Sequence, residues 1–226
     1  MLDLFSKLIH IVGDLIFPNV CVGCKCAGSL LCPNCETKID TDFTEKTDQI
    51  FAILPYHNKI VRDLIWYAKY RGSNEAIKIL GAYLHTGILR RLEDEQALIT
   101  ENTKIILLPV PMTVRHRRKR GWNQAEQLAL AVAEQSPDNF EVITEAVAKI
   151  FETPRQVSCR NKTERLNNVK NSFKVVAEKT NQLVGRIVIV VDDVTTTGAT
   201  LNEVLSTIAK SQTKPRLLLG AAVAHG

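Results

Sequence analysis

An α/β protein with a mostly parallel sheet and a small four-cysteine knuckle near its N-terminus is what this sequence predicts, from three observations. From about Thr103 onward, short runs that are apolar on both faces alternate with helical patterns, as in a sheet covered by helices on both sides. Near the start, Cys21-x2-Cys24 and Cys32-x2-Cys35 form two closely spaced cysteine pairs. Near the end, the strand-like run Arg186–Val191 leads into two acids, a Thr/Gly turn and a helix, and open α/β sheets bind ligands at such strand ends.

The chain of 226 residues is long enough for one full domain plus a small appendage. Its 45% hydrophobic and 23% charged residues exclude a chain dominated by disorder. The division expected is residues 1–45 for an N-terminal helix and the knuckle, and 46–226 for the main domain. The net charge of +5 is local: Arg115, Arg117, Arg118, Lys119 and Arg120 account for it, and the remainder is neutral. Such a cluster points to a local anionic partner, a pyrophosphate or a nucleic-acid backbone, and not to a chain coated in positive charge.

In order along the chain, Leu2–Phe17 has apolar residues at helical spacing, interrupted by Asp3, Lys7, His10 and Asp14. It reads as an amphipathic helix, too short and too polar to span a bilayer, so a cytoplasmic protein without membrane insertion is expected. The polar stretch Thr37–Asp48 reads as a linker. A short apolar run, Ile50–Leu54, precedes helical patterns over Lys59–Tyr70 and Asn74–Leu92. Lys104–Val110 reads as a strand closed by prolines, and Asn123 as the N-cap of a helix reaching Glu134. Glu141–Val147 and Phe173–Val176 read as strands, Glu152–Asn168 as a polar, basic, mobile loop, Ala199–Lys210 as a helix and Leu217–Ala222 as the last strand.

The string Ile187-Val188-Ile189-Val190-Val191-Asp192-Asp193-Val194-Thr195-Thr196-Thr197-Gly198-Ala199-Thr200 carries the chemistry. A helix N-terminus offers unpaired N–H groups and about half a positive charge to a phosphate. Threonine hydroxyls add donors, and glycine permits close backbone approach. Paired carboxylates beside a phosphate cradle suit a sugar phosphate, with the acids on ribose hydroxyls or a bound Mg²⁺. A Walker A loop is excluded because its further glycines and its lysine are missing.

This string resembles the phosphoribosyl-pyrophosphate (PRPP) motif of type I phosphoribosyltransferases. Leu108-Pro109-Val110-Pro111, followed by Arg117 and Arg120-Gly121-Trp122-Asn123-Gln124-Ala125, resembles a signature of the ComF/GntX family of competence-related proteins, with Trp122 where that family usually has Phe. Gln156, Glu164-Arg165, Asn167 and Phe173 resemble its later motif, and Lys69-Tyr70-Arg71-Gly72 another. The resemblance implies a sheet of the type I phosphoribosyltransferase type. Asp192 and Asp193 would contact the ribose, and Thr195, Thr196, Thr197, Gly198 and Thr200 would hold the 5-phosphate. The segment after Pro111 would take the pyrophosphate, and Glu152–Asn168 would close over the site.

Two readings are open for the basic stretch: Arg117 and Arg120 neutralise a pyrophosphate through their guanidinium forks, or the cluster contacts single-stranded nucleic acid. The cysteine pairs suit a tetrahedral thiolate site for structural Zn²⁺ formed by Cys21, Cys24, Cys32 and Cys35, with Cys26 a spare competitor, and the ComF family typically has this knuckle. Lys69–Gly72 reads equally as a substrate-facing group and as a helix end with a glycine cap. Cys159 and the scattered His57, His85 and His116 have no assignable role, and no catalytic base is evident. Two functions compete. One is a phosphoribosyltransferase that binds Mg–PRPP. The other is a non-catalytic module in DNA uptake during natural transformation, sensing PRPP or a nucleotide while engaging single-stranded DNA or a helicase partner.

Overall fold

The computed structural model describes residues 20–41, 44–95, 104–150 and 170–226. The expected helix Leu2–Phe17, the loop Glu152–Asn168 and Cys159 lie outside the described residues. Mostly apolar runs, joined by the polar edge strand β1 (Thr44–Thr47), build a six-stranded sheet with β2 (Ile50–Pro55), β3 (Ile105–Pro109), β4 (Phe140–Val142), β7 (Ile187–Thr195) and β8 (Leu217–His225). Its order is β1-β2-β8-β7-β3-β4. All neighbours pair in parallel except β1, which folds back antiparallel on β2. The mostly parallel α/β class is therefore realised.

Alternating side chains of the central strands fill two separate cores, as a strand's two-residue period requires. On one face Ile105, Leu107, Ile187, Ile189 and Val191 pack with Leu80, Leu84 and Ile88 of α3 (Asn74–Asp94) and Leu128 and Val132 of α5 (Gln124–Gln135). On the other, Ile106, Leu108, Val188 and Val190 pack with Leu201, Val204, Leu205 and Ile208 of α7 (Ala199–Lys210). The first face is closely fitted. A Cβ added at Gly87 would sit 2.2 Å from Ile53, and one at Gly81 would sit 2.6 Å from Ala131, so α3 settles directly onto β2 and α5.

The knuckle includes the short helix α1 (Pro33–Glu36), with Pro33 in its first turn, where a missing N–H costs nothing. Val22, Leu30 and Ile39 join the same core as Phe51 and Leu54, and the Leu30 amide donates to Glu75 Oε1 at 2.7 Å. Within the stretch read as a linker, Ile39 is buried and Thr44–Thr47 forms β1, so part of it is structured.

Three local expectations change. The run Glu141–Val147 is two strands: β4 closes the parallel sheet, whereas β5 (Val147–Lys149) leaves it to pair antiparallel with β6 (Phe173–Val175). The chain parts from the sheet after the Ile143 amide donates to the Leu107 carbonyl, and apolar alternation alone cannot reveal such a change of partner. The basic stretch, to which the sequence assigned no element, is itself a helix, α4 (Val114–Arg120). Arginine and lysine are good helix formers, the Thr113 hydroxyl accepts from the His116 amide, and Gly121 at φ 88° stops the helix. Finally, the helix starting at Lys59, α2 (Lys59–Trp66), passes into a π-helical turn over Tyr67–Arg71 that ends at Gly72, φ 61°.

A candidate sugar-phosphate site at the strand tips

β7 runs further than its apolar stretch suggests. It carries Asp192, Asp193, Val194 and Thr195 inside the ladder with β8, Asp192 opposite Ala222 and Thr195 opposite His225. Both acids are thus held on paired backbone and not in the following turn. Each carboxylate also accepts locally: Asp192 Oδ1 from the Asp193 amide and Asp193 Oδ1 from the Val194 amide, both at 2.8 Å.

The turn proper is Thr196–Gly198. Gly198 caps α7 at φ 74°, a left-handed conformation that favours glycine, and an added Cβ would meet Asn202 Nδ2 at 3.1 Å. The Thr197 hydroxyl accepts from the Ala199 amide at 3.3 Å, covering one of the helix's unpaired donors. Thr195 is buried, and Thr196, Thr197 and Thr200 are half-buried. The geometry is that of an anion cradle with two acids beside it.

A third charge sits here. Lys69, in the π-helical turn, reaches across 124 positions of sequence to place its Nζ 2.9 Å from Asp193 Oδ2. Burial pushes the Asp193 carboxyl up, but the Lys69 ammonium and the hydrogen bonds outweigh it and hold the group below the usual carboxylate range. Asp192 has the opposite fate: burial, then the neighbouring Asp193 charge, raise it to about 8. Asp193 in turn raises Lys69, against burial and the nearby positive charge of Arg120.

Of the two arginines singled out in sequence, Arg120 is therefore the one felt at the site. Arg117 is ion-paired with Glu126 of α5 at 3.2 Å. Gly72 and Trp122 join the two segments, since a Cβ at Gly72 would meet the Trp122 ring at 3.3 Å. At the start of α5, Asn123 donates to the Val110 carbonyl and accepts from Ala125, the capping role expected. Beside it, Gln124 is 3% exposed, and neither side-chain amide atom has a partner among the described residues. A buried amide is costly without one, so it calls for a water or a ligand atom. In sequence Gln124 stands within the Arg120–Ala125 signature, but nothing there assigns it a role of its own. Among the described residues, cavities elsewhere include one of about 160 Å³ beside Cys24 and Cys35 and one of about 550 Å³ along α3 between Ile53, Ile79 and Tyr83.

In the knuckle, the sulfurs of Cys21, Cys24, Cys26 and Cys32 lie within 4.8 Å of one another. Cys24 is 3.2 Å from Cys26 and 3.6 Å from Cys32. Ligand bonds of about 2.3 Å in a tetrahedron put sulfurs about 3.8 Å apart, so the group fits a metal of that kind. Burial pushes the Cys21 thiol up, but the backbone amides of Cys32, Cys24 and Gly23 outweigh it and draw it down to about 6, towards the thiolate a metal needs. Buried Cys35 is pushed up to about 12, by burial and then by its contacts with Cys21, Cys24 and Cys32. The four-sulfur group thus holds Cys21, Cys24 and Cys32 of the expected set together with Cys26, while Cys35, the fourth cysteine expected, is buried against Cys21, Cys24 and Cys32 and is not one of that group.

A parallel sheet with acids and an anion cradle at the tip of β7 defines a phosphoribosyltransferase-type protein. Residues 105–225 match the phosphoribosyl transferase domain family. Competence protein F of Haemophilus influenzae is 34% identical over 230 residues, covering 93% of this chain and 94% of that protein. Competence protein ComFC of Bacillus subtilis is 26% identical, covering 87% and 72%. Among solved structures, hypoxanthine phosphoribosyltransferase from Trypanosoma cruzi complexed with the product IMP aligns at TM-score 0.40 with 15% identity, over 68% of this chain and 65% of that one. A Leishmania tarentolae HGPRT-ase in complex with GMP aligns at 0.37 with 14% identity, over 68% of each. The chain belongs to the ComF-like proteins of the phosphoribosyl transferase domain family.

Proposed function

We propose that this chain binds PRPP with Mg²⁺ at Asp192–Thr200 and acts in DNA uptake during natural transformation. The observation that carries the binding is the paired strand end of β7, which holds two carboxylates next to a glycine-capped helix N-terminus. Thr195, Thr196, Thr197, Gly198 and Thr200 would grip the 5-phosphate through amides and hydroxyls. Asp192 and Asp193 would take the ribose hydroxyls, and Arg120, with Arg117 once released from Glu126, the pyrophosphate. Mg²⁺ would be held by the carboxylates together with ligand oxygens, neutralising the diphosphate. With the sugar so oriented, C1 would be open to an acceptor nucleophile as pyrophosphate leaves. Zn²⁺ in the cysteine cluster would be structural. The role in DNA uptake rests on the names of the two competence relatives.

Isothermal calorimetry tests the site: Asp192→Asn and Asp193→Asn abolish PRPP binding, and unchanged affinity overturns the assignment.

A second reading, a binding module without turnover, is favoured by one surface. Arg62, Trp66, Tyr70 and Arg71 form an exposed stripe on α2 and the π-helical turn. The Trp66 and Tyr70 rings lie 5.9 Å apart, and the Arg71 guanidinium is 5.7 Å from the Trp66 ring centre. Exposed cations interleaved with exposed aromatic rings suit single-stranded DNA. Pyrophosphate release with an added acceptor separates an enzyme from such a module.

A further inference from the structure

We propose that Lys69 is the specificity-determining residue of the strand-tip site: a latch that rests on Asp193 in the free protein and passes to the diphosphate of the incoming sugar phosphate. The inference rests on the sugar-phosphate reading above and adds how the site tells PRPP from ribose 5-phosphate.

Three observations converge on it. The Lys69–Asp193 pair, at 2.9 Å, occupies a carboxylate oxygen that a ribose hydroxyl would need. Its side chains are 28% and 16% exposed, so the pair is neither sealed in the core nor washed by bulk water. The positive charge of Arg120 is felt at Lys69, so a second cation lies near the space beside the acids. That space suits an anion bearing several charges. The element carrying Lys69 is also unusual. Tyr67–Arg71 is a π-helical turn, a geometry that is rare and found often at functional sites. It is closed by left-handed Gly72 against Trp122, at the end of the basic helix α4.

The physical consequence is an exchange of partners. A lysine ammonium is a compact charge on a flexible stem and can trade one anion for another with little loss. Left half-buried without any anion, it becomes a cost. A ligand with a diphosphate supplies the replacement partner and frees Asp193 for the ribose. Ribose 5-phosphate has its phosphate in the α7 cradle and nothing at C1 to receive the ammonium, so it must break the ion pair uncompensated.

The test is calorimetric titration with PRPP and with ribose 5-phosphate, at fixed Mg²⁺, of the wild-type chain, Lys69→Met and Lys69→Arg. The wild type prefers PRPP. Lys69→Met lowers the ratio of the two affinities at least tenfold, by weakening PRPP while leaving ribose 5-phosphate equal or tighter, and Lys69→Arg keeps the ratio within about threefold. An equal loss for both ligands, or an unmoved ratio, overturns the latch and leaves Lys69 a structural ion pair. Lys69→Gln carries the same expectation and the same refutation if the Met variant does not fold. A wild type that binds neither ligand overturns the sugar-phosphate reading itself, and this proposal with it. A wild type that binds both, with variants that do not shift the ratio, overturns the latch alone.

Discussion

Asp192 and Asp193 are neighbours with opposite electrostatics: the Lys69 ammonium at 2.9 Å holds Asp193 low, while burial, and then the charge of Asp193, raise Asp192. With its carboxyl raised to about 8, Asp192 binds a proton in the folded chain that the unfolded chain has already released above about pH 4. Stability therefore falls as pH climbs through that window and levels off above pH 8. Asp193, held low by Lys69, contributes with the opposite sign: its stabilisation is present above the unfolded value and is lost as acid titrates it. Asp192→Asn should remove the first slope alone. Thermal midpoints from pH 5 to 8.5 check this: the variant gains on the wild type towards the alkaline end while losing the ligand, a trade common at functional sites. A parallel decline in both proteins would refute the assigned cause.

At the level of elements, the π-helical turn and its glycine stop decide where Lys69 lies. Gly72→Ala places a side chain at φ 61°, which costs about 1–2 kcal/mol, and sets its Cβ 3.3 Å from the Trp122 ring. Chemical denaturation should show a loss of that size, and an unchanged midpoint would mean that the turn relaxes freely. Much of the element plan was legible beforehand. The apolar runs of β3, β7 and β8, the Asn123 cap and the glycine at position 198 each announce themselves through local chemistry. What escaped depends on distant partners. The Lys69–Asp193 pair has no periodic signature, the split at Ile143 is a choice between two pairing strands, and four arginines in seven residues disguise α4 as a solvated loop. The continuation of β7 through the acids was hidden for a similar reason. Polar residues ended the apolar pattern, while the ladder to β8 went on to Thr195.

For the molecule as a whole, the cysteine knuckle is tied to the main core and is not hung beside it. Val22, Leu30 and Ile39 share one apolar cluster with the sheet, and the Leu30 amide reaches Glu75 on α3. Metal bound by the thiols should therefore stabilise the entire fold through mass action, by about 4 kcal/mol when free zinc exceeds its Kd a thousandfold. For a chain of this size that is about 10 °C. Calorimetry with and without a chelator should show a single transition shifted by that order. A separate low-temperature transition, with the main one unmoved, would show that the knuckle melts alone.

The two rims of the sheet have a consequence of their own. One rim is β1, four residues long with a register break between Glu45 and Thr47, and the other is β4, three residues long. Unpaired strand edges invite a second chain to add on, and brevity or a bulge blunts that invitation. The long strands β2, β7 and β8, where such growth would be most favourable, are all interior. The sheet is thus guarded against edge-to-edge aggregation by how its margins are cut.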